Sequence, residues 1–166
     1  MTEYNFCPRC GAKLDAHAES WHCNSCGSTY WQNPKPCASV LPIKDGKVLL
    51  ARRGREPYKG AWDIVGGFMD VDELPEAAAI REAKEETGLD VKITSLLGMY
   101  VDQYGEGGDY TLNIDYIGEI VGGEMQAMDD VAALEWVPIS EVPVDEGSQC
   151  TKDALRDLKK LYEEAS

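Results

Sequence analysis

Two short cysteine motifs constrain the N-terminal part of the chain more than any other feature. Cys7 and Cys10 stand in CPRCG, Cys23 and Cys26 stand in CNSCG, and twelve residues separate the two pairs. Two hairpin knuckles with this spacing place four thiolates tetrahedrally around one Zn²⁺. The glycine after each pair lets the chain turn away with a positive φ. A closed four-cysteine site leaves no coordination position for a substrate, so the predicted zinc is structural.

Other roles for the cysteines fit the sequence less well. The N-terminus, MTEYNFCPRC, lacks a basic segment followed by an apolar one, so we expect a cytoplasmic protein without a secretory signal. Disulfides are rare in that compartment. His17 and His22 have the chemistry of zinc ligands, but four cysteines already complete the set. Cys37 and Cys150 belong to no motif and are expected to be partly buried apolar residues.

Length and composition indicate one full domain plus a small module. The chain has 166 residues, of which 43% are hydrophobic, and this is enough to form a packed core. We assign residues 1–36 to a zinc ribbon with its linker and residues 37–166 to the larger domain. The linker is predicted over residues 27–37, where Pro34 and Pro36 favour extended backbone.

The charge of the chain is concentrated in the larger domain. Acidic and basic residues cancel over residues 1–36, so the net charge of −14 lies entirely in the remainder. Such a surface repels a nucleic-acid backbone, whereas a small phosphorylated ligand held through a metal ion is compatible with it. Apolar runs fall short of the roughly 20 residues that cross a bilayer, so no membrane partner is expected.

Hydrophobic periodicity and turn residues predict a mixed α/β (α+β) architecture for the larger domain. One helix is bounded by Pro75 and Gly88, residues typical of a helix start and of a helix stop. A second helix is amphipathic and closes the chain. Strands and helices of this mixture predict an α/β or α+β sandwich. The predicted strands are 38–43, 47–52, 91–104, 110–121 and 133–138, and the predicted helices are 75–87 and 151–164.

The first predicted helix carries acidic residues where they oppose its stability. Glu82, Glu85 and Glu86 fall within an arc of roughly 100°. Glu82 and Glu86 form an i,i+4 like-charge pair that costs about 0.2–0.5 kcal/mol. The C-terminal half of a helix also disfavours anions by about 0.3–1 kcal/mol. A divalent cation reverses the sign of both effects, so the cluster is either a Mg²⁺ or Mn²⁺ site or a solvated acidic face.

A neighbouring side of the same helix is mostly apolar. Ala79, Ile80, Ala83 and Thr87 lie on a neighbouring arc and are expected to face the core.

The stretch from Gly67 to Leu89 resembles the Nudix box, Gly-x5-Glu-x7-Arg-Glu-U-x-Glu-Glu-x-Gly-U, in which U is bulky and apolar. Ala83 is small for the first U position, and Asp72 and Leu74 depart from the common Gly and Ser or Thr. The paired cysteine motifs resemble those of the zinc-ribbon subgroup, which includes NADH and ADP-ribose pyrophosphatases. The matching anchors are Gly67, Glu73, Arg81, Glu82, Glu85, Glu86, Gly88 and Leu89.

The resemblance implies a fold and an activity. The fold would be a Nudix α/β/α sandwich with a mixed sheet, preceded by the ribbon. The activity would be Mg²⁺-dependent hydrolysis of the diphosphate in a nucleoside diphosphate derivative, with ADP-ribose-like substrates favoured and NADH or a dinucleotide next. It also implies that the protein forms a homodimer. Among nucleic acids, it leaves only capped RNA as a partner.

The resemblance also assigns roles within the box. Glu82, Glu85 and Glu86 would be the catalytic Mg²⁺ ligands, and the carbonyl of Gly67 would be a further ligand. Glu73 and Arg81 would form an orienting ion pair.

The general base is left open by the sequence. Glu86 is favoured within the box, and the alternatives are acidic residues before the last strand, namely Glu124, Asp129 and Asp130.

Basic and aromatic residues near the box have two interpretations each. Arg52, Arg53, Arg55 and Lys59 either contact substrate phosphates or balance nearby acids; Arg52, Arg53 and Asp130 are the substrate-binding candidates. Aromatic rings either stack on a base or pack in the core. No role is assigned to three polar residues in predicted strands. The aromatic residues are Trp62, Phe68, Tyr100 and Tyr104, and the unassigned residues are Asp63, Asn113 and Asp115.

Two further hypotheses give the ribbon a role in binding a partner. The chain would be a binding module if the ribbon recruited RNA or protein while the Nudix-like domain only sensed a nucleotide. Removal of a nucleotide cap from RNA would combine recruitment with hydrolysis. The ribbon lacks a stripe of basic and aromatic residues, which argues against RNA recruitment.

Overall fold

The computed structural model describes residues 4–16 and 20–164, so His17 lies outside the described residues. Within these ranges the chain forms ten strands and two α-helices, with a short 3₁₀ helix at Ile139–Glu141. The elements are β1 Asp15–Ala16, β2 Ser20–His22, β3 Thr29–Trp31, β4 Lys35–Lys44, β5 Lys47–Arg53, β6 Trp62–Asp63, β7 Val65–Phe68, α1 Pro75–Thr87, β8 Leu89–Gln103, β9 Tyr110–Gly123, β10 Val131–Pro138 and α2 Gln149–Glu164.

The ribbon is a three-stranded antiparallel sheet, β1-β2-β3, with a small core of its own. Cys7, Leu14, Trp21 and Cys23 are buried together, and Tyr30 packs against them. The predicted linker over 27–37 was wrong at both ends, because Tyr30 pairs with Trp21 in the ribbon sheet and β4 already begins at Lys35. Only residues 32–34 connect the ribbon sheet to β4.

The larger domain is built on a mixed sheet, as predicted. Its strands follow the order β10-β5-β4-β9-β8, with β6 paired to β5 and β7 paired to β4. β4 and β9 are parallel, and the other pairs are antiparallel. The strand β4 therefore lies at the centre, with β5, β7 and β9 all bonded to it.

The two faces of this sheet contact different helices, which confirms the predicted sandwich of sheet and helices. Along β5, Leu49 and Ala51 pack in one cluster with the alanines of α1. Val48 and Leu50 point the other way and pack with Leu155 of α2. This alternation follows from the two-residue period of a strand. Each fully buried Leu or Val contributes about 1.5–3 kcal/mol to folding.

Helix α1 has the predicted bounds and the predicted end signals. Pro75 occupies its first turn, and Gly88 ends it at φ 70° with its N–H bonded to the carbonyl of Lys84. Ile80 was wrongly predicted to face the core, because its side chain is 39% exposed. The buried stripe runs instead through Ala79, Ala83 and Glu86, which share one side of the helix at i, i+4 and i+7.

No helix in the described part of the chain is both long enough and apolar enough to span a bilayer.

Candidate functional site

The four N-terminal cysteines converge as their spacing predicted. The Sγ atoms of Cys7 and Cys26 are 3.6 Å apart, as are those of Cys10 and Cys23, and none forms a disulfide. Zn–S bonds of about 2.3 Å give tetrahedral S···S edges of roughly 3.8 Å. Across residues 4–16 and 20–164, this is the one group of three or more His, Cys, Asp or Glu whose ligand atoms all lie within 4.8 Å. The cluster therefore fits zinc.

The two knuckles have the same backbone geometry. The N–H of Gly11 donates to the carbonyl of Cys7, and the N–H of Gly27 donates to that of Cys23, both at 2.8 Å. The two glycines have φ of 75° and 73°. The prediction of a positive φ after each cysteine pair is confirmed.

The second site forms where β7 meets α1. A Cβ atom at Gly67 would lie 2.6–2.9 Å from the carboxylate atoms of Glu82, closer than side chains approach one another. Glycine at this position therefore lets the carboxylate of Glu82 lie directly against the backbone of β7. Burial raises the pKa of Glu82, as expected for a carboxylate shielded from water.

Arg81 connects the acidic residues around Gly67. Its guanidinium binds both oxygens of Glu73 at 2.9 and 2.8 Å, an arrangement that lowers the pKa of Glu73. Its Nη1 atom also donates to Glu82 at 2.8 Å and to Glu85 at 3.0 Å. Bidentate pairing fixes orientation as well as charge. Arg81 thus holds three carboxylates in place, two more than a simple ion pair would.

Glu86 is the buried member of the acidic set, with 7% of its surface exposed. It accepts a hydrogen bond of 3.0 Å from the N–H of Gly66. Burial and, next, the contact with Asp130 raise the pKa of Glu86 to about 9. A buried carboxylate beside a second carboxylate is costly without a compensating cation.

These donors fit a hard divalent cation by their chemistry. Glu82, Glu85 and Glu86 offer carboxylate oxygens, the ligand type that Mg²⁺ and Mn²⁺ prefer. In the described part of the chain the three carboxylates do not all lie within 4.8 Å of one another. Arg81, bound to two of them, supplies the positive charge between Glu82 and Glu85.

A pocket with a cavity volume of about 130 Å³ lies beside the acidic residues and reaches Gly66 and Gly67. Its polar and aromatic lining includes Arg53, Asp63, Phe68, Asp102, Tyr104 and Asp130.

The predicted substrate-binding residues fall into two groups. Arg53 and Asp130 line the pocket. Arg52 lies outside its lining, because the guanidinium stacks 3.4 Å from the ring centroid of Trp62 and donates to the carbonyl of Gly60.

The candidates for the general base are also separated by the fold. Asp130 contacts Glu86, whereas Asp129 and Glu124 are exposed. Glu86 and Asp130 are therefore the two candidates that the structure brings together.

The four aromatic residues lie in different environments. Trp62 is buried in the core, and Tyr100 donates its hydroxyl to Asp157 at 2.9 Å. Phe68 and Tyr104 line the pocket with ring centroids 5.7 Å apart.

Asp63, which the sequence left without a role, and Asp102 form part of the pocket wall. Asp63 accepts bonds from Arg53 at 2.6 Å and from the hydroxyl of Thr151 at 3.0 Å. Asp102 caps the start of α2 by accepting from the backbone N–H of Gln149 at 2.8 Å. The antiparallel pairing of β5 with β6, in which Arg52 opposes Trp62, brings Asp63 close to Arg53, and the sequence gives no signal of this pairing.

Asp115, to which the sequence assigned no role, is the most deeply buried carboxylate among the described residues. It is 2% exposed, and its Oδ1 atom has no hydrogen-bond partner. The hydroxyl of Ser39 donates to this carboxylate from the neighbouring parallel strand. Burial raises the pKa of Asp115 to about 7.

Asp115→Asn is expected to flatten the pH dependence of stability. Because folding raises the pKa from 3.8, the stabilisation by the protonated carboxyl is complete below pH 4 and is lost as the pH rises through about 7. The difference in unfolding free energy between wild type and variant should change by about 4 kcal/mol from pH 4 to pH 8. Urea denaturation at several pH values measures it. Asp72→Asn, in an exposed loop, is the control, and parallel pH curves for Asp115→Asn would contradict the burial.

Comparisons with known proteins agree on one family. A family model described as NUDIX domain matches residues 33–158. An ADP-ribose pyrophosphatase of Methanocaldococcus jannaschii is 39% identical over 111 residues, which are 67% of this chain and 66% of the relative. A NAD-capped RNA hydrolase NudC of Vibrio atlanticus is 28% identical over 140 residues, 83% of this chain and 51% of the relative. The chain thus spans about half to two thirds of these curated relatives.

A solved structure extends the similarity to nearly the whole chain. A NUDIX hydrolase from Nitrosomonas europaea superposes with a TM-score of 0.80 at 23% identity, covering 96% of this chain and 93% of its own. At this identity the match shows the fold.

Proposed function

The chain belongs to the NUDIX family, and on that premise we propose that it is a hydrolase that cleaves the diphosphate of a nucleoside diphosphate derivative with the help of Mg²⁺ or Mn²⁺. The observation that carries the proposal is the buried carboxylate of Glu86, which contacts Asp130 at the edge of an open pocket. A stable fold gains nothing from two adjacent acids there, whereas a cation and a phosphorylated ligand use them.

In this proposal Glu82, Glu85 and Glu86 hold the cation, together with the carbonyl of Gly67. When bound, the cation neutralises phosphate charge and polarises the P–O bond. Arg81 positions the ligands through its contacts with Glu82 and Glu85. The zinc in the ribbon has a separate, structural role.

Glu86 and Asp130 together are the proposed proton acceptor for the attacking water. A cation bound beside Glu86 would favour the ionised form of its carboxylate, which is the form that accepts a proton.

ADP-ribose-like substrates are favoured, and NADH or a dinucleotide comes next. One relative is named an ADP-ribose pyrophosphatase and others are named NAD-capped RNA hydrolases, so both substrate classes share an ADP moiety. The homodimer, the cytoplasmic location and the division of the chain at residues 36 and 37 remain predictions.

A substrate panel tests the proposal directly. The protein is incubated with ADP-ribose, NADH, diadenosine tetraphosphate and nucleoside triphosphates in the presence of Mg²⁺, and AMP and phosphate are measured. We expect AMP from ADP-ribose, with no product when EDTA is added. Absence of turnover with every compound, in folded protein loaded with metal, would contradict the proposal.

A further inference from the structure

The charged residues that line the pocket beside the acidic residues are mainly negative. Asp63, Asp102 and Asp130 contribute three carboxylates to its wall. Of the described residues that line the pocket, Arg53 is the one that carries a permanent positive charge. The balance of the lining is therefore negative before any cation binds.

The guanidinium of Arg53 already forms an ion pair and hydrogen bonds within the protein. Its Nη1 atom pairs with Asp63 at 2.6 Å, its Nε atom donates to the carbonyl of Pro57 at 2.7 Å, and its Nη2 atom donates to the hydroxyl of Tyr104 at 3.1 Å. Only 15% of the side chain is exposed. Arg53 therefore shapes the pocket and leaves little capacity to bind a phosphate.

The other arginines of the same cluster are neutralised in the same way. Arg52 pairs with Glu146 at 3.3 Å. Arg55 pairs with Asp129 and Asp130, both at 3.0 Å. The interpretation that this cluster balances local acid thus accounts for each arginine.

We propose that this pocket selects substrates whose part outside the cleaved diphosphate carries no phosphate. The inference rests on the proposed function, in which the cation neutralises the diphosphate itself. Arg53 and Arg55 are already paired with Asp63 and Asp130, so neither guanidinium is free to bind a further phosphate, and the carboxylates of the lining outnumber its one arginine. The favoured substrates are then free ADP-ribose or NADH, and the disfavoured ones are 2′-phosphorylated or RNA-linked analogues.

The charge of the whole chain acts in the same direction. Its net charge is −14, so each additional phosphate of an attached RNA increases the repulsion. Repulsion of this kind is screened by salt. A preference that arises from charge must therefore weaken as the salt concentration rises.

NADH and NADPH provide the matched substrate pair, because they differ by one 2′-phosphate. We expect kcat/KM to be about three- to tenfold higher for NADH in 50 mM KCl. The ratio should approach one in 500 mM KCl. A NAD-capped ten-nucleotide RNA, compared with free NAD, should show a larger difference in the same direction. Equal or faster turnover of NADPH, or a ratio that salt does not change, would overturn the proposal.

Binding separates failure of this inference from failure of the proposed function. If neither dinucleotide is hydrolysed, the proposed function fails, and calorimetry with Mg²⁺ still compares the affinities for NADH and NADPH. Tighter binding of NADH, with the same dependence on salt, supports the pocket selectivity. Equal affinities, or no binding of either, overturn it.

Asp102→Asn tests the contribution of the wall. Asparagine keeps an oxygen that can cap α2, so the helix start is retained. We expect the NADPH-to-NADH ratio of kcat/KM to rise about threefold in 50 mM KCl. Asp63→Asn removes the carboxylate that pairs with Arg53, keeps an oxygen for the hydroxyl of Thr151 and should raise the same ratio, so it serves if Asp102→Asn folds poorly. Glu119→Gln, paired with Lys92 on the far edge of the sheet, removes one charge and should leave the ratio unchanged. No change in either test variant refutes the role of the wall.

Discussion

Glu85→Gln is expected to lower kcat for ADP-ribose hydrolysis by at least about 100-fold while the protein stays folded. The proposed cation contributes several kcal/mol of charge stabilisation in the transition state, and each 1.4 kcal/mol is a factor of about ten in rate. The side chain of Glu85 is 52% exposed, and its ion pair with Arg81 is of the i,i+4 type. Such exposed pairs contribute only about 0.3–0.5 kcal/mol to folding.

Steady-state kinetics over a range of Mg²⁺ concentrations, with urea denaturation of the same samples, measures both effects. Glu135→Gln is the matched control, because Glu135 is exposed on β10 and has no proposed role. The control should have wild-type kcat. Wild-type activity in Glu85→Gln would refute its assignment as a cation ligand.

Simultaneous replacement of Cys7 and Cys23 by serine is expected to abolish zinc binding. Native mass spectrometry should find one zinc per chain in the wild type and none in the variant. Zinc binding is coupled to folding in sites of this kind and contributes about 10–16 kcal/mol in isolated zinc-finger peptides. Both cysteines also belong to the buried core of the ribbon, where they pack with Trp21. The ribbon is therefore expected to unfold, with a change in tryptophan fluorescence.

The larger domain should survive this change, because its two core clusters contain no residue of the ribbon. Turnover of ADP-ribose is expected to persist. Cys150→Ser, at a cysteine outside the four-sulfur cluster, should retain its zinc. A full complement of zinc in the double variant would rule out the four-cysteine assignment.

Features governed by neighbouring residues could be predicted from the sequence. Pro75 and Gly88 set the ends of α1 through rules that act within one turn. The spacing of the cysteines gave the sulfur cluster because each knuckle closes locally around one glycine. The contact of Gly67 with Glu82 was less accessible, since it depends on how β7 packs against α1.

Features that depend on distant packing could not be predicted. The sequence predicted that Ile80 faces the core and that Glu86 is on the acidic side of α1. In the structure α1 is rotated so that Glu86 is buried and Ile80 is 39% exposed. The neutralisation of Arg52 required Glu146, which is far away in the chain. Local patterns contain no information on such contacts, so the charge balance of the pocket emerges only from the tertiary structure.

The central position of β4 has a consequence for synthesis of the chain. Its parallel partner β9 pairs Thr111 with Lys35, so the sheet cannot be completed until the ribosome has released most of the larger domain. Parallel pairing over such a distance is slow in folding. The strands of the ribbon are close together in the chain. The ribbon can therefore form and bind zinc before β9, the parallel partner of β4, has been synthesised. The nascent chain is thus expected to fold the ribbon first and the larger domain second.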